Sequence, residues 1–231
     1  IELGENEVIS AIVTILYSVA LVVASFFYLK VRYKLCENGC LKDIAKKNIK
    51  YLIITSVIFL VIVVIETMYA IRHDIYSLPV LMKWSTLFWG VYLLAKIDYH
   101  EKKIPNKIVL IMLIARVVFL IYEIVVNLEY WKTVLVYPLL GAAIGGMIMA
   151  VAMLISRKGV GMGDVKMFIV IGAFVGSTEI LATLFYTILI SVIGGVMLLI
   201  TKKAGLKDSV PMAPFACAGI ALEYLLLMIG G

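Results

Sequence analysis

The sequence predicts an all-α, polytopic transmembrane helix bundle of about eight spans, and three observations predict it. The first is composition: 64% of the 231 residues are hydrophobic and only 16% are charged, where a soluble domain carries about 25% charged residues. Mean hydropathy is +1.09 over the whole chain, so the excess apolar surface is expected to face lipid. The second is the recurrence of apolar runs near 8–29, 51–70, 80–97, 107–126, 133–155, 165–177, 180–200 and 211–229. Most approach the roughly 20 residues needed to cross about 30 Å of hydrocarbon at about 1.5 Å per residue. The third is the placement of cations. If the first span runs from outside to inside, the outer segments hold only Arg72, Lys83 and Lys132, and Arg116 lies within a span. Every other Lys and Arg, from Lys30 to Lys207, falls on the inner side. That asymmetry places both termini outside, and it accounts for the net charge of +6 without a nucleic-acid partner.

The first span is too long for the core of a signal peptide. Glu2, Glu5 and Glu7 precede it rather than a basic segment, so it is expected to remain a membrane span. A basic segment at 30–50, the longest break in hydrophobicity, separates an N-terminal two-span hairpin (1–79) from a six-span block (80–231). Cys36 and Cys40 fall in this segment, on the side where disulfides are disfavoured. With no second cysteine pair and no nearby histidine, no metal is expected. Connections in the six-span block are short, so consecutive helices are expected to pack as antiparallel neighbours. Gly141, Gly145, Gly146, Gly194 and Gly195 read as small-residue contacts that let helices approach closely in lipid.

Chemistry is sought in ionisable residues at membrane depth. Asp98 ends the third span in Lys96-Ile97-Asp98-Tyr99-His100-Glu101-Lys102-Lys103-Ile104-Pro105-Asn106. Pro105 then opens the next helix, where its missing N–H costs little. Alone, a carboxylate at the end of a span is ordinary, and His100 reads as a solvated loop residue. Asp164 follows three alternate glycines in Gly159-Val160-Gly161-Met162-Gly163-Asp164-Val165-Lys166. Each glycine costs about 1 kcal/mol relative to Ala inside a helix, so the segment is expected to bend or to approach another chain closely. An acidic residue on irregular backbone at membrane depth is a functional candidate.

The two aspartates are more informative together. Both fall at the inner ends of their spans, so they can share one depth and face one another. Two neighbouring carboxylates do not both ionise cheaply, and one then keeps a proton while the other stays charged. Such a pair suits peptide hydrolysis: one carboxylate takes a proton from water while its protonated partner hydrogen-bonds the scissile carbonyl. The pair titrates as a unit, so neither role is assigned to a particular aspartate.

Asp98 with Ile104-Pro105-Asn106, followed by Gly161-Met162-Gly163-Asp164-Val165-Lys166, resembles the two signatures of the type IV prepilin peptidases. Archaeal preflagellin peptidases are their close relatives within the GxGD membrane aspartyl proteases. Val210-Pro211-Met212-Ala213-Pro214-Phe215 is similar to the proline-rich opening of that family's last helix. The resemblance covers the six-span block. It implies cleavage of prepilin-like or archaellin-like precursors at the cytoplasmic boundary of the cell membrane, just before the substrate's hydrophobic helix, with Asp98 and Asp164 as the catalytic pair. Gly161, Met162, Gly163, Lys166, Ile104, Pro105 and Asn106 are then motif and substrate-binding residues, with Pro211 and Pro214 structural. No cofactor is implied, and a monomer in lipid completes the site. Bacterial members commonly carry a cytoplasmic N-methyltransferase region with two Cys-x-x-Cys pairs. Here Cys36-x-x-x-Cys40 stands without a second pair, so no methyltransferase activity is expected and an archaeal-type enzyme is favoured. Glycines beside Asp164 further lead to the expectation that substrate closes the site.

Arg116 lies about 13 Å from the inner end of its span and Glu223 about 18 Å, counted at 1.5 Å per residue. Since an unpaired charge is costly there, they are expected to pair as a structural lock between the fourth and eighth spans. Glu66 and Glu123 lie nearer the outer boundary and receive no role. Two other functions remain open. A small secondary transporter or channel could use Arg116 and Glu223, although the halves show no repeat and the acidic motif lies at a boundary rather than the midplane. A structural subunit would tolerate loss of both aspartates.

Overall fold

The computed structural model describes residues 5–34, 57, 60–61, 63–65, 78–156, 159–201 and 210–230. Among them there is no β-strand, and the helices follow the apolar runs of the sequence. They are α1 (Glu5–Lys34), α2 (Leu78–Glu101), α3 (Asn106–Val126), α4 (Trp131–Ser156), α5 (Met162–Val175), α6 (Ile180–Ile200) and α7 (Ala213–Gly230), with a 3-10 turn at Leu128–Tyr130 before α4. Five segments are long and apolar enough to cross a membrane: Ala11–Leu29, Leu78–Glu101, Asn106–Val126, Leu128–Ser156 and Ile180–Ile200, with Ala213–Leu226 a shorter apolar helix. The chain is therefore an all-α, polytopic helix bundle. Most of the expected span at 51–70 lies outside the described residues, as do Cys36 and Cys40; the described positions within that span are helical.

The chain divides into two compact units, Ile1–Trp89 and Gly90–Gly231. In the first, α1 buries a stripe of small hydroxyl residues, Thr14, Ser18 and Ser25, with Leu29. The Ser18 hydroxyl returns to the Thr14 carbonyl and that of Ser25 to Val22, as a hydroxyl inside an apolar helix does when nothing else is in reach. Tyr17 and Thr86 share a hydrogen bond of 3.0 Å between α1 and the first half of α2.

In the second unit α5 is the central element. It is only 14 residues long, about 21 Å at 1.5 Å per residue, and nearly all of Val165–Gly176 is buried. Helix α4 meets it along Pro138, Gly141, Gly145, Gly146 and Met149, the stripe that α4 buries. A Cβ built on Gly141 would strike the carbonyl oxygen of Gly172, and one on Gly172 would strike that of Gly141. At Gly145 it would lie 2.6 Å from the Phe168 carbonyl. The two helices thus touch backbone to backbone, which confirms the packing reading of these glycines. Helices α6 and α7 meet similarly where Gly219 lies over the backbone of Thr187, and Gly194 accommodates the ring of Phe215. The expectation for Gly195 is not met among the described residues, where nothing lies within 4 Å of a Cβ placed there.

The last carbonyls of α5 need partners beyond the helix. Gly176, at φ +89, turns the chain out of α5 and donates its N–H to Gly172. Arg116 supplies another partner: its Nε donates to the Ala173 carbonyl at 2.6 Å while Nη1 pairs with Glu123 at 2.9 Å. This corrects the expected Arg116–Glu223 lock. Glu123 lies two helical turns from Arg116 on the same face of α3, close enough for the long guanidinium arm. Glu223 instead accepts from the Thr183 hydroxyl at 2.6 Å, tying α7 to α6.

Overpacking and loss of a buried cation should both register in unfolding. Gly141→Val should lower unfolding free energy in detergent by about 1–3 kcal/mol or more. Arg116→Leu, which strips both the Ala173 carbonyl and Glu123 of their donor, should cost a similar amount, about 1–3 kcal/mol. Denaturant unfolding followed by circular dichroism measures both; unchanged midpoints would remove these contacts from the account.

Candidate active site

The two motif segments lie against each other in the second unit. Helix α2 ends just past Asp98: the Lys102 N–H bonds to the Asp98 carbonyl at 2.8 Å, with Lys102 in the left-handed region at φ 51. The chain then turns through Lys103 and Ile104 to Pro105, which sits at the N-cap of α3 with extended backbone, φ −73 and ψ 119. Its carbonyl receives the N–H groups of Ile108 and Val109. Proline suits this position because it presets φ and offers no N–H that the helix could have used.

Across from this turn, Gly161 is the N-cap of α5. Its N–H donates to Asp164 Oδ2 at 2.8 Å, while the Asp164 N–H returns to the Gly161 carbonyl at 3.1 Å. This is the carboxylate half of a capping box, with a backbone oxygen replacing the hydroxyl that glycine lacks. It fixes Asp164 in the first turn of α5, where a negative charge also suits the helix dipole.

Two contacts join the motifs. A Cβ on Gly163 would stand 3.0 Å from Cβ of Ile104, so glycine at this position lets the two turns close on one another. Beside it the Lys166 ammonium donates to Asn106 Oδ1 at 3.2 Å. Ile104, Asn106, Gly163 and Lys166 are therefore drawn together, while Met162 is exposed at the first position of α5.

Asp98 is 5% exposed. Its Oδ2 receives the N–H of Ala213 at 3.0 Å, and the Met212 N–H is also directed at this carboxylate. Asp98 and Asp164 lie within electrostatic reach of one another, and among the described residues no hydrogen bond joins them directly. The arrangement can bind and polarise a water molecule beside an amide, with one group accepting and the other donating a proton. Among the described residues no group of three or more His, Cys, Asp or Glu could hold a metal ion.

Sequence reasoning missed two participants. The backbone donors at the opening of α7 carry no side-chain signal, although Pro211 and Pro214 mark the segment. Glu123 was given no role, although its spacing of seven from Arg116 was a usable clue.

The motif contacts should differ in what they hold. Lys166→Met removes an exposed hydrogen bond and should cost at most about 1 kcal/mol. Gly163→Val forces the Ile104 turn away and should cost about 1–3 kcal/mol. Thermal unfolding of the two variants in detergent checks the order; equal effects would contradict the contact at Gly163.

Residues 85–200 match the type IV leader peptidase family. Over 134 residues the chain is 34% identical to the prepilin leader peptidase/N-methyltransferase of Bacillus subtilis (strain 168), covering 58% of this chain and 51% of that protein. The chain thus spans about half the length of this curated relative. No solved structure matches.

Proposed function

The chain belongs to the type IV leader peptidase family, and from that premise we propose that it is a membrane aspartic endopeptidase with Asp98 and Asp164 as its catalytic pair. The observation that supports this reading is the contact between the two motif segments, Gly163 against Ile104 and Lys166 to Asn106, with Asp164 within electrostatic reach of Asp98. Each sits where a helix opens toward it: Asp164 at the start of α5 and Asp98 beneath the start of α7. A water between them loses a proton to whichever carboxylate is ionised as it attacks the scissile carbonyl. The protonated partner hydrogen-bonds the carbonyl oxygen and then supplies the proton that the leaving amine needs.

The substrate class is a prepilin-like or archaellin-like precursor, cut between its leader and the hydrophobic helix that follows. The many Lys and Arg residues on the side of the chain that carries both aspartates support a site near the cytoplasmic face of the cell membrane, with both termini outside. The proposal covers one bundle acting alone in lipid and an archaellin as readily as a pilin. It does not extend to N-methyl transfer, which the relative's name includes, because the basic segment at 30–50 offers Cys36 and Cys40 without a second pair.

The test is cleavage of a panel of prepilin-type and archaellin-type leader peptides by the detergent-solubilised chain. The unsubstituted enzyme should cut at one bond ahead of the hydrophobic segment. Asp98→Asn and Asp164→Asn should each reduce the rate by about 1,000-fold or more while unfolding normally, since members of one catalytic unit fail together. Full activity in either folded variant contradicts the two-aspartate mechanism.

A further inference from the structure

The sequence Val210-Pro211-Met212-Ala213-Pro214-Phe215 at the opening of α7 is over-determined for a simple helix start. Helix α7 leaves its first N–H groups without intrahelical partners, as every helix does. Pro211 and Pro214 have no N–H to offer. The N–H groups of Phe215 and Ala216 both turn back to the Met212 carbonyl, at 3.1 and 3.0 Å. Between the two prolines, Met212 and Ala213 each keep an N–H that can be directed outward. Both are directed at Asp98, 115 positions away in the chain from Ala213.

We propose that the opening of α7 is a third segment of the active site, in which the Ala213 N–H is a positioning donor that sets the orientation of the Asp98 carboxylate. The inference rests on the aspartic protease reading of Asp98 and Asp164. Ala213 is fully buried and Asp98 is 5% exposed, so solvent does not readily replace this donor. The prolines restrict the backbone on either side and pre-aim the two N–H groups. The start of a helix also favours the negative charge that a carboxylate brings. A hydrogen bond to Oδ2 restrains rotation of the carboxylate about its Cβ–Cγ bond, and with it the direction of the lone pairs that meet the reacting water. Asp164 is held in the matching way by the Gly161 N–H, also through Oδ2. The pair is thus built from two helix openings, one local to its aspartate and one brought from the far end of the chain.

The direct test deletes the N–H and leaves the side chain in place. Lactic acid incorporated at position 213 converts the amide to an ester, and the full chain is assayed in detergent on a fluorogenic prepilin-type leader peptide. The ester variant should retain the KM and melting temperature of the unsubstituted chain while kcat falls about 10- to 100-fold, the scale of effect that misplacing a catalytic group by about 1 Å produces. An unchanged kcat in the ester variant overturns the inference and leaves the aspartic protease reading intact. A loss that follows a fall in melting temperature, or that resides in KM, gives the bond a purely architectural role and also overturns it. No cleavage by the unsubstituted chain overturns the protease reading, and this inference with it.

Discussion

Helix ends leave backbone groups without intrahelical partners, and this chain meets part of that need with ionisable side chains. Asp98 receives the N–H at the opening of α7, Asp164 receives that of the α5 N-cap, and Arg116 takes the Ala173 carbonyl near the close of α5. A buried polar group left alone costs about 1–3 kcal/mol, so the buried contacts of Asp98 with Ala213 and of Arg116 with Ala173 matter most. These contacts lie at the start of α5, near its end and at the start of α7. The two carboxylates among them are the ones to which catalysis is assigned.

The shortness of α5 follows the same logic. Its length of 14 residues fits a helix enclosed by neighbours rather than one that must present a full span to lipid. Enclosure requires close approach, which the glycines of α4 and α5 permit by bringing backbone against backbone at Gly141 and Gly172. Where apolar burial does not drive helices together, contact of this kind does so through dispersion and shape. Faces that carry Ile114, Val117, Ile121 and Val125 on α3, or Val192 and Val196 on α6, remain exposed for lipid. The bundle thus separates a glycine-lined interior around α5 from a branched aliphatic exterior.

Much of this was legible in the residues. Apolar runs and cation placement were enough for an all-α membrane bundle, because a span's length is dictated by the bilayer and its hydropathy by lipid. Ile104, Asn106, Gly163 and Lys166 were legible as a set through the resemblance of their two segments to known signatures, and the fold draws them together. The partners of buried charges were less so. Arg116 and Glu223 looked complementary by depth alone, yet depth says nothing about which face of a helix a residue occupies. Arg116 found Glu123 on its own helix and Glu223 found a threonine hydroxyl. The Ala213 donor was invisible for a plainer reason: a backbone N–H is the same at every residue, and only the fold decides which one faces a carboxylate.

The central claim is that positions 98 and 164 face each other as one site. It is tested most directly by proximity in the native membrane. In a chain whose Cys36, Cys40 and Cys217 are replaced by serine, Asp98→Cys and Asp164→Cys would be introduced singly and together. Each chain would then be treated with a short bifunctional thiol reagent and mapped by mass spectrometry. The account predicts an intramolecular cross-link between the two positions in the double variant and none in either single one. Free, fully labelled thiols at both positions, with no cross-link in a chain that retains its fold, would contradict it.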